Sequence, residues 1–241
     1  QAKAFLQEVY CVSEKKAGLA VDIACREKAL LSKLDYLNGF SLYVGIPFCP
    51  SICSYCSFSS SPIDVWSPRM DDYLKALCIE LHHIAKETEG KTLNTIYIGG
   101  GTPTTLTAKQ LEKLLNVVDE LFLNEERGAE LLEYTVEAGR PDSITKEKLE
   151  VICSHPVTRI SVNPQTMQQK TLDLVGRKHT VQAVKDIFHL ARELGFDNIN
   201  MDLIAGLPGE NAEDMRDTLR QIEELSPDSL TVHSLAIKRA A

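Results

Sequence analysis

Three cysteines, Cys49, Cys53 and Cys56, stand at C-x3-C-x2-C spacing inside the stretch Tyr43-Val-Gly-Ile-Pro-Phe-Cys-Pro-Ser-Ile-Cys-Ser-Tyr-Cys-Ser-Phe58. Thiolates this close in sequence can converge on one soft metal centre. Three is one short of the four that close a structural zinc site or fill an ordinary four-iron cluster. A cluster held by three cysteines leaves one iron open to an outside ligand. The same residues would also serve a zinc site whose fourth ligand lies elsewhere, or a loop of unligated thiols.

The elements around this loop are those of a parallel α/β fold. The apolar run over 41–48 reads as a strand, and Pro47 and Pro50 throw the chain into the loop that carries the cysteines. Further strands are predicted over 95–98, 133–137, 159–162, 198–204 and 229–235. Helices are predicted over 69–87, from Thr107, over 143–153 with Thr145 as N-cap, over 181–194 closed by Gly195, and over 212–225. Leu74, Leu77, Cys78, Leu81 and Ile84 are the expected inward stripe of the first of these helices. Six strands alternating with five helices and no tight hairpin signal imply parallel crossovers. Polar and glycine-rich punctuation follows each strand, which places a site at the carboxyl ends. Six units suit a partial (βα)6 TIM-like barrel, open on one side, rather than a closed eightfold one.

Residues 1–40 carry helical spacing, with Leu19, Val21, Ile23, Ala24, Leu30, Leu31 and Leu34 recurring at threes and fours until Asn38-Gly39. This segment is expected to be a helical lead-in, with Cys11 and Cys25 as buried thiols.

With 241 residues the chain can bury a sizeable core, and a net charge of −8 argues against a nucleic-acid partner held by its backbone. Seven cysteines without a signal peptide disfavour a disulfide framework, and no apolar run reaches the length of a membrane span. A cytoplasmic location is the expectation. The chain opens on Gln1 rather than Met and stops at Lys238-Arg-Ala-Ala241, so it is expected to be a piece of a longer protein.

Several strand ends carry residues suited to chemistry. Gly99-Gly-Gly101 allows close backbone approach, and its N–H groups suit a carboxylate, although a tight turn would use the same residues. Glu137 ends an otherwise apolar and Thr-containing strand, where a carboxylate is costly without a partner. Gln165 and Asp202 hold equivalent positions on the next two strands, and Arg177 follows close by. Acid, amide, arginine and acid on one rim can bind a zwitterion and ribose hydroxyls. Lys178 and His179 are expected to be solvated neighbours, His82 and His83 to have surface or packing roles on their helix, and His233, on the last strand, to be either a core residue or a ligand able to hold heme.

The cysteine triplet resembles the signature of the radical S-adenosylmethionine (SAM) enzymes. Taken with IGGGTPT at 98–104, VEAGRP at 136–141, RISVNPQ at 159–165 and INMDLIAGLPGE at 199–210, the chain resembles their oxygen-independent coproporphyrinogen III oxidase (dehydrogenase) family over roughly residues 41–237. The resemblance implies a radical SAM core over 41–241, with Cys49, Cys53 and Cys56 on a [4Fe–4S] cluster whose open iron binds the amino and carboxylate groups of SAM. It implies that Tyr43, Gly100 and Glu137 contact that SAM. Tyr55, Gly101, Thr102, Gln165, Arg177, Asp202 and Ala236 match further SAM-contacting positions, which in this family can belong to a second SAM. The implied reaction converts two propionates of coproporphyrinogen III to vinyl groups, through a 5′-deoxyadenosyl radical and with an electron donor such as a flavodoxin or ferredoxin. Arg140 and Arg177 are the rim cations available for substrate carboxylates. One departure stands out. The best-characterised branch has a further cysteine two residues after the third ligand, where this chain has Phe58. Cys56-Ser-Phe-Ser looks more like the HemZ-type and heme-chaperone-like branches, and a heme-binding chaperone that keeps the cluster is the alternative reading.

Overall fold

The computed structural model describes residues 1–58, 60–123 and 131–235. The chain divides into two compact units, Gln1–Phe40 and Ser41–Ala241.

In the first unit the helical spacing yields two helices, α1 (Ala2–Tyr10) and α2 (Glu14–Leu31). Ala17 is buried, but Leu19, Ile23, Leu30 and Leu31 of the expected stripe are exposed. Cys11 and Cys25, expected to be buried, are exposed as well. Two short helices have too little surface to enclose a core of their own. The second helix also ends earlier than Asn38-Gly39. Ser32 Oγ donates to Ala29 O at 2.8 Å just past its last residue, and Asp35 accepts the Asn38 N–H at 3.0 Å in a separate turn.

Among the described residues, six strands form the main sheet of the second unit. They are β1 (Gly39–Ile46), β2 (Thr92–Gly100), β3 (Glu133–Gly139), β4 (Arg159–Gln165), β5 (Ile199–Ala205) and β6 (Ser229–Ser234), and the spatial order is the chain order. From β2 to β6 every neighbour pairs in parallel. The connecting helices are α3 (Met70–Glu87), α4 (Ala108–Phe122), α5 (Lys146–Cys153), α6 (Gln169–Leu174), α7 (Val181–Glu193) and α8 (Ala212–Leu225). Right-handed crossovers in unbroken sequence put all helices on one face. The sheet therefore curls away from them into a half-barrel with a concave inner face, the partial (βα)6 architecture expected from the sequence. The short helix α6 was not foreseen.

The core lies between sheet and helices. Ile96, Ile98, Val136, Ile160, Val162 and Met201 of the strands are at most 1% exposed, as are Leu111, Leu114, Leu115, Val118 and Phe122 of α4. Burying each such side chain is worth about 1.5–3 kcal/mol. Helix α4 starts with a reciprocal capping box, Gln110 N–H to Thr107 Oγ1 at 3.3 Å and Thr107 N–H to Gln110 Oε1 at 3.0 Å. Thr145 caps α5 as the sequence suggests. On α3 the buried stripe is Met70, Leu74, Leu77, Leu81 and Ala85, while Ile84 is exposed and Cys78 half-buried. The helix is thus rotated slightly from its expected face.

Candidate functional site

The cysteine loop leaves β1 at Pro47 and returns through a two-residue parallel pairing, Phe48 opposite Ser61 and Cys49 opposite Pro62. Ser61 N–H to Pro47 O at 2.9 Å closes its base. Inside the loop Cys56 N–H donates to Cys53 O at 3.0 Å, and Ser54 N–H reaches Val175 O at 3.1 Å. Cys49 and Cys53 are buried and Cys56 is partly exposed.

The triple glycine packs beneath this loop. Gly100 has φ +116°, and a Cβ on it would stand 2.8 Å from the Ile46 backbone. A Cβ on Gly101 would stand 2.7 Å from Phe48 O and 2.9 Å from Cys49 Sγ. Gly101 N–H donates to Ile46 O at 2.8 Å. That group is therefore spent on the chain itself, contrary to the expectation of a free N–H. The role of Gly101 is to let β2 approach the cysteine loop. Thr102 is buried, its Oγ1 donating to Gly101 O at 2.7 Å and lying 3.6 Å from Cys49 Sγ.

Glu137 is the centre of a polar ladder on the concave face. The pairing of β3 with β4 shifts register between Val136 and Gly139, and that of β4 with β5 between Val162 and Gln165. Both irregularities fall at site residues and re-aim side chains there. Glu137 accepts from Asn163 Nδ2 at 2.9 Å and from Tyr97 OH at 3.4 Å. Burial, reinforced by the charge of Asp202, pushes its carboxyl up to about 7 against the hydrogen bonds from Tyr97, Asn163 and the Gly100 backbone. Tyr97 also stacks on exposed Tyr43, centroids 5.8 Å apart, so Tyr43, Tyr97 and Glu137 are contiguous. Burial and the Glu137 charge hold the Tyr43 hydroxyl up as well. Asp202 accepts from Asn200 Nδ2 at 2.7 Å.

Arg177 is buried and ties this face to the loop. Its Nη1 donates to Tyr55 OH at 3.0 Å and its Nη2 to Asn163 O at 2.5 Å. Tyr55 lies between Cys53 and Cys56, and burial pushes its hydroxyl up to about 12. Gln165 has φ +68°, a left-handed conformation rare for a non-glycine residue. Gln165 Oε1 and Arg177 Nε are buried without a hydrogen-bond partner. Unsatisfied buried polar atoms are what a polar ligand would satisfy.

Three residues sit differently from expectation. His179 is buried, with Nδ1 3.8 Å from Asp142, rather than solvated like exposed Lys178. Burial lowers its pKa against the pull of Asp142. Arg140 is buried and its guanidinium is taken up by Asp142, Ser51 and Cys53, so it is not a free rim cation for substrate. His233 is exposed rather than core and lines a cavity of about 640 Å³ with Tyr55, Cys56, Phe58, Ile204 and Leu235. His82 is exposed on α3, as expected. Ala236 lies outside the described residues. Sequence reasoning missed Tyr97, Ser161, Asn163 and Asn200. For the last three the signal was the alternation of polar residues along β4 and β5.

Among known families, the radical SAM superfamily matches residues 43–222. The chain belongs to the radical SAM superfamily. Within it the similarity runs to the HemN/HemZ/HemW group. The chain is 42% identical over 245 residues to the oxygen-independent coproporphyrinogen-III oxidase-like protein HemZ of Bacillus subtilis, covering 100% of this chain and 48% of that protein. It is 37% identical to the heme chaperone HemW of the same organism, over 82% of this chain and 51% of that protein. The structure of coproporphyrinogen III oxidase HemN from Escherichia coli superimposes with a TM-score of 0.75 at 31% identity, covering 87% of this chain and 47% of that one. The chain thus spans about half the length of the curated relatives it matches. No helix among the described residues is long and apolar enough to cross a membrane.

Radical SAM enzymes work with a [4Fe–4S] cluster and SAM, and the donor set fits both. Among the described residues no three His, Cys, Asp or Glu side chains stand close enough to enclose a single metal ion. A four-iron cluster asks for something wider, because each cysteine binds a different iron. Of the two buried thiols, Cys53 already meets a hydrogen-bond donor in Arg140, while Thr102 Oγ1, whose proton goes to Gly101 O, lies 3.6 Å from Cys49 Sγ. Glu137, Gln165 and Arg177 offer an anion, an unpaired acceptor and an unpaired donor to a zwitterion.

Proposed function

We propose that this chain carries the radical SAM core, over 41–241, of an enzyme that oxidatively decarboxylates coproporphyrinogen III to protoporphyrinogen IX in heme biosynthesis. The observation that carries this reading is the match to an oxidase-like relative over the whole chain, with the HemN structure as a second support. Cys49, Cys53 and Cys56 hold the cluster. Tyr43, Gly100 and Glu137 meet the cluster-bound SAM. Tyr55, Thr102, Gln165, Arg177, Asp202 and Ala236 shape the remaining SAM contacts, with room for one or two molecules, and Gly101 contributes by its missing side chain. Bound together, cluster and SAM supply a 5′-deoxyadenosyl radical. Each of two propionates would give up a hydrogen atom from its β-carbon to the deoxyadenosyl radical, and loss of CO2 with transfer of one electron to an external one-electron acceptor would leave a vinyl group. A flavodoxin or ferredoxin serves as donor in the cytoplasm, and no nucleic acid takes part.

The residues of this chain position and shield. Glu137 as a carboxylate pairs with the positive charge of SAM, and the ladder from Asn163 keeps it aimed. Tyr55 and Arg177 hold the cysteine loop against β4. The test is anaerobic reconstitution of the full-length protein with iron and sulfide, then SAM, a strong reductant and coproporphyrinogen III. Deoxyadenosine and decarboxylated porphyrin rising together are expected. Deoxyadenosine without porphyrin product would overturn the substrate.

A second reading, heme binding and transfer, is favoured by exposed His233 at the cavity beside Cys56 and Phe58. Its volume lies within the range of small-molecule sites. Titration with heme separates the two, since a Soret shift lost in His233→Ala supports the chaperone reading.

A further inference from the structure

We propose that Arg140 is a positioning residue for the iron–sulfur site, whose guanidinium, locked by Asp142, donates to the Cys53 sulfur and raises the reduction potential of the cluster. The proposal rests on Cys53 being a cluster ligand. Arg140 is 4% exposed, and a buried cation is tolerated only when its donors are matched. Here they are. Nε and Nη2 form a fork on the Asp142 carboxylate at 2.9 and 2.7 Å. Nη1 points into the cysteine loop, 2.9 Å from Ser51 O, 2.9 Å from Ser51 Oγ and 3.7 Å from Cys53 Sγ. The last distance is ordinary for a hydrogen bond to the larger sulfur atom.

The geometry is built rather than incidental. Arg140 directly follows Gly139, whose φ of +74° turns the chain at the end of β3. That turn follows the register shift that contains Glu137. One irregularity thus presents Glu137 to the concave face and sends Arg140 under the loop. Asp142 is backed in turn by buried His179, 3.8 Å from its Oδ1. Neither ring nitrogen of His179 has a hydrogen-bond partner, so the imidazole fills space behind the carboxylate. Ser51 Oγ also donates to Gly176 O at 3.2 Å, linking the same loop to the segment that carries Arg177.

A cation hydrogen-bonded to a ligand sulfur favours the more negative, reduced state of a cluster, and such contacts are among the main levers on its potential. Thr102 beside Cys49 is a neutral group, so the charged contact falls on Cys53. The consequence is a cluster that a given reductant can fill more readily than it could without Arg140.

The experiment measures iron content and midpoint potential of the reconstituted full-length protein by mediated redox titration, for wild type, Arg140→Gln, Arg140→Lys and Cys53→Ala. In Arg140→Gln the reduced-to-oxidised ratio at fixed potential should fall by a factor of ten or more, a shift of at least 59 mV to more negative values for a one-electron couple. Arg140→Lys should lie between it and wild type. Full iron with an unchanged potential in Arg140→Gln would overturn the proposal. If that variant does not hold iron, an unchanged potential in Arg140→Lys would overturn it. Cys53→Ala separates the two levels, because a Cys53→Ala protein with an intact cluster removes the ligand assignment and the proposal together. A Cys53→Ala protein without cluster, beside an Arg140→Gln protein of unchanged potential, removes the proposal alone.

Discussion

Asn163 donates its side-chain amide to Glu137 at 2.9 Å, and the orientation of that amide is fixed from behind. Ser161 Oγ donates to Asn163 Oδ1 at 2.8 Å, and Asn200 Nδ2 donates to Ser161 Oγ at 3.0 Å. Ser229 and Thr231 hydroxyls in turn donate to Asn200 Oδ1 at 2.9 and 3.1 Å. Each rung of this ladder has a donor pointing toward the carboxylate, across four strands, while Asn200 Nδ2 also donates to Asp202. A preorganised anion on the inner face of a half-barrel is a receptor for a cationic ligand.

The carboxyl of Glu137 stands at about 7 in the ligand-free protein, chiefly through burial. Only its ionised form attracts the positive charge of SAM. Affinity should therefore strengthen as pH rises from 6 to 8, with proton release on binding below 7. In Glu137→Gln the affinity should fall roughly tenfold to a hundredfold, as for loss of a charged hydrogen bond, and become flat with pH. Calorimetry in buffers of different ionisation enthalpy checks both. A pH-independent wild type would exclude Glu137 from the contact.

The same shift has a cost in stability. A carboxyl raised from 4.5 to about 7 holds its proton in the folded state where the unfolded chain has lost it. Its contribution is favourable at low pH and is lost as pH rises from about 4.5 through 7. Glu137→Gln should thus raise the melting temperature of the ligand-free protein at pH 8 and change it little at pH 4.5. A lower melting temperature at pH 8 would contradict this.

Gly101→Ala should abolish cluster assembly without unfolding the barrel. Its Cβ would press on Phe48 O at 2.7 Å and Cys49 Sγ at 2.9 Å, and the neighbour it meets is backbone that cannot swing away. Gly45→Ala is the control, since its Cβ would meet only the Tyr43 ring at 3.4 Å. Iron per chain after reconstitution, with circular dichroism beside it, reads the difference. Full iron in Gly101→Ala would mean that the loop does not need this close approach.

Strand order and the placing of Glu137, Gln165 and Asp202 on three successive strands were legible because period-2 and period-3.6 patterns are local, although only Gln165 ends its strand, β3 running two residues past Glu137 and Asp202 standing mid-strand. The cysteine loop was legible by spacing. The support for Glu137 was less visible, although Ser161, Asn163 and Gln165 alternate along β4 and Asn198, Asn200 and Asp202 around β5. That pattern signals a polar inner face, but which rung donates to which depends on the register between strands. The fate of Arg140 was not legible at all. Its partners Ser51 and Cys53 lie 89 and 87 residues earlier, and only the fold brings them together. Exposed Leu19, Ile23 and Leu30 mark the converse limit, because periodicity fixes a helix face without saying what covers it.

The most direct test of the central claim is the electron paramagnetic resonance spectrum of the reduced, reconstituted protein with and without SAM. A cluster held by Cys49, Cys53 and Cys56 with one open iron should give a [4Fe–4S]+ signal whose g-values shift when SAM is added. That signal should be absent in each cysteine-to-alanine variant. A signal indifferent to SAM, or one that survives loss of any of the three cysteines, would contradict the account.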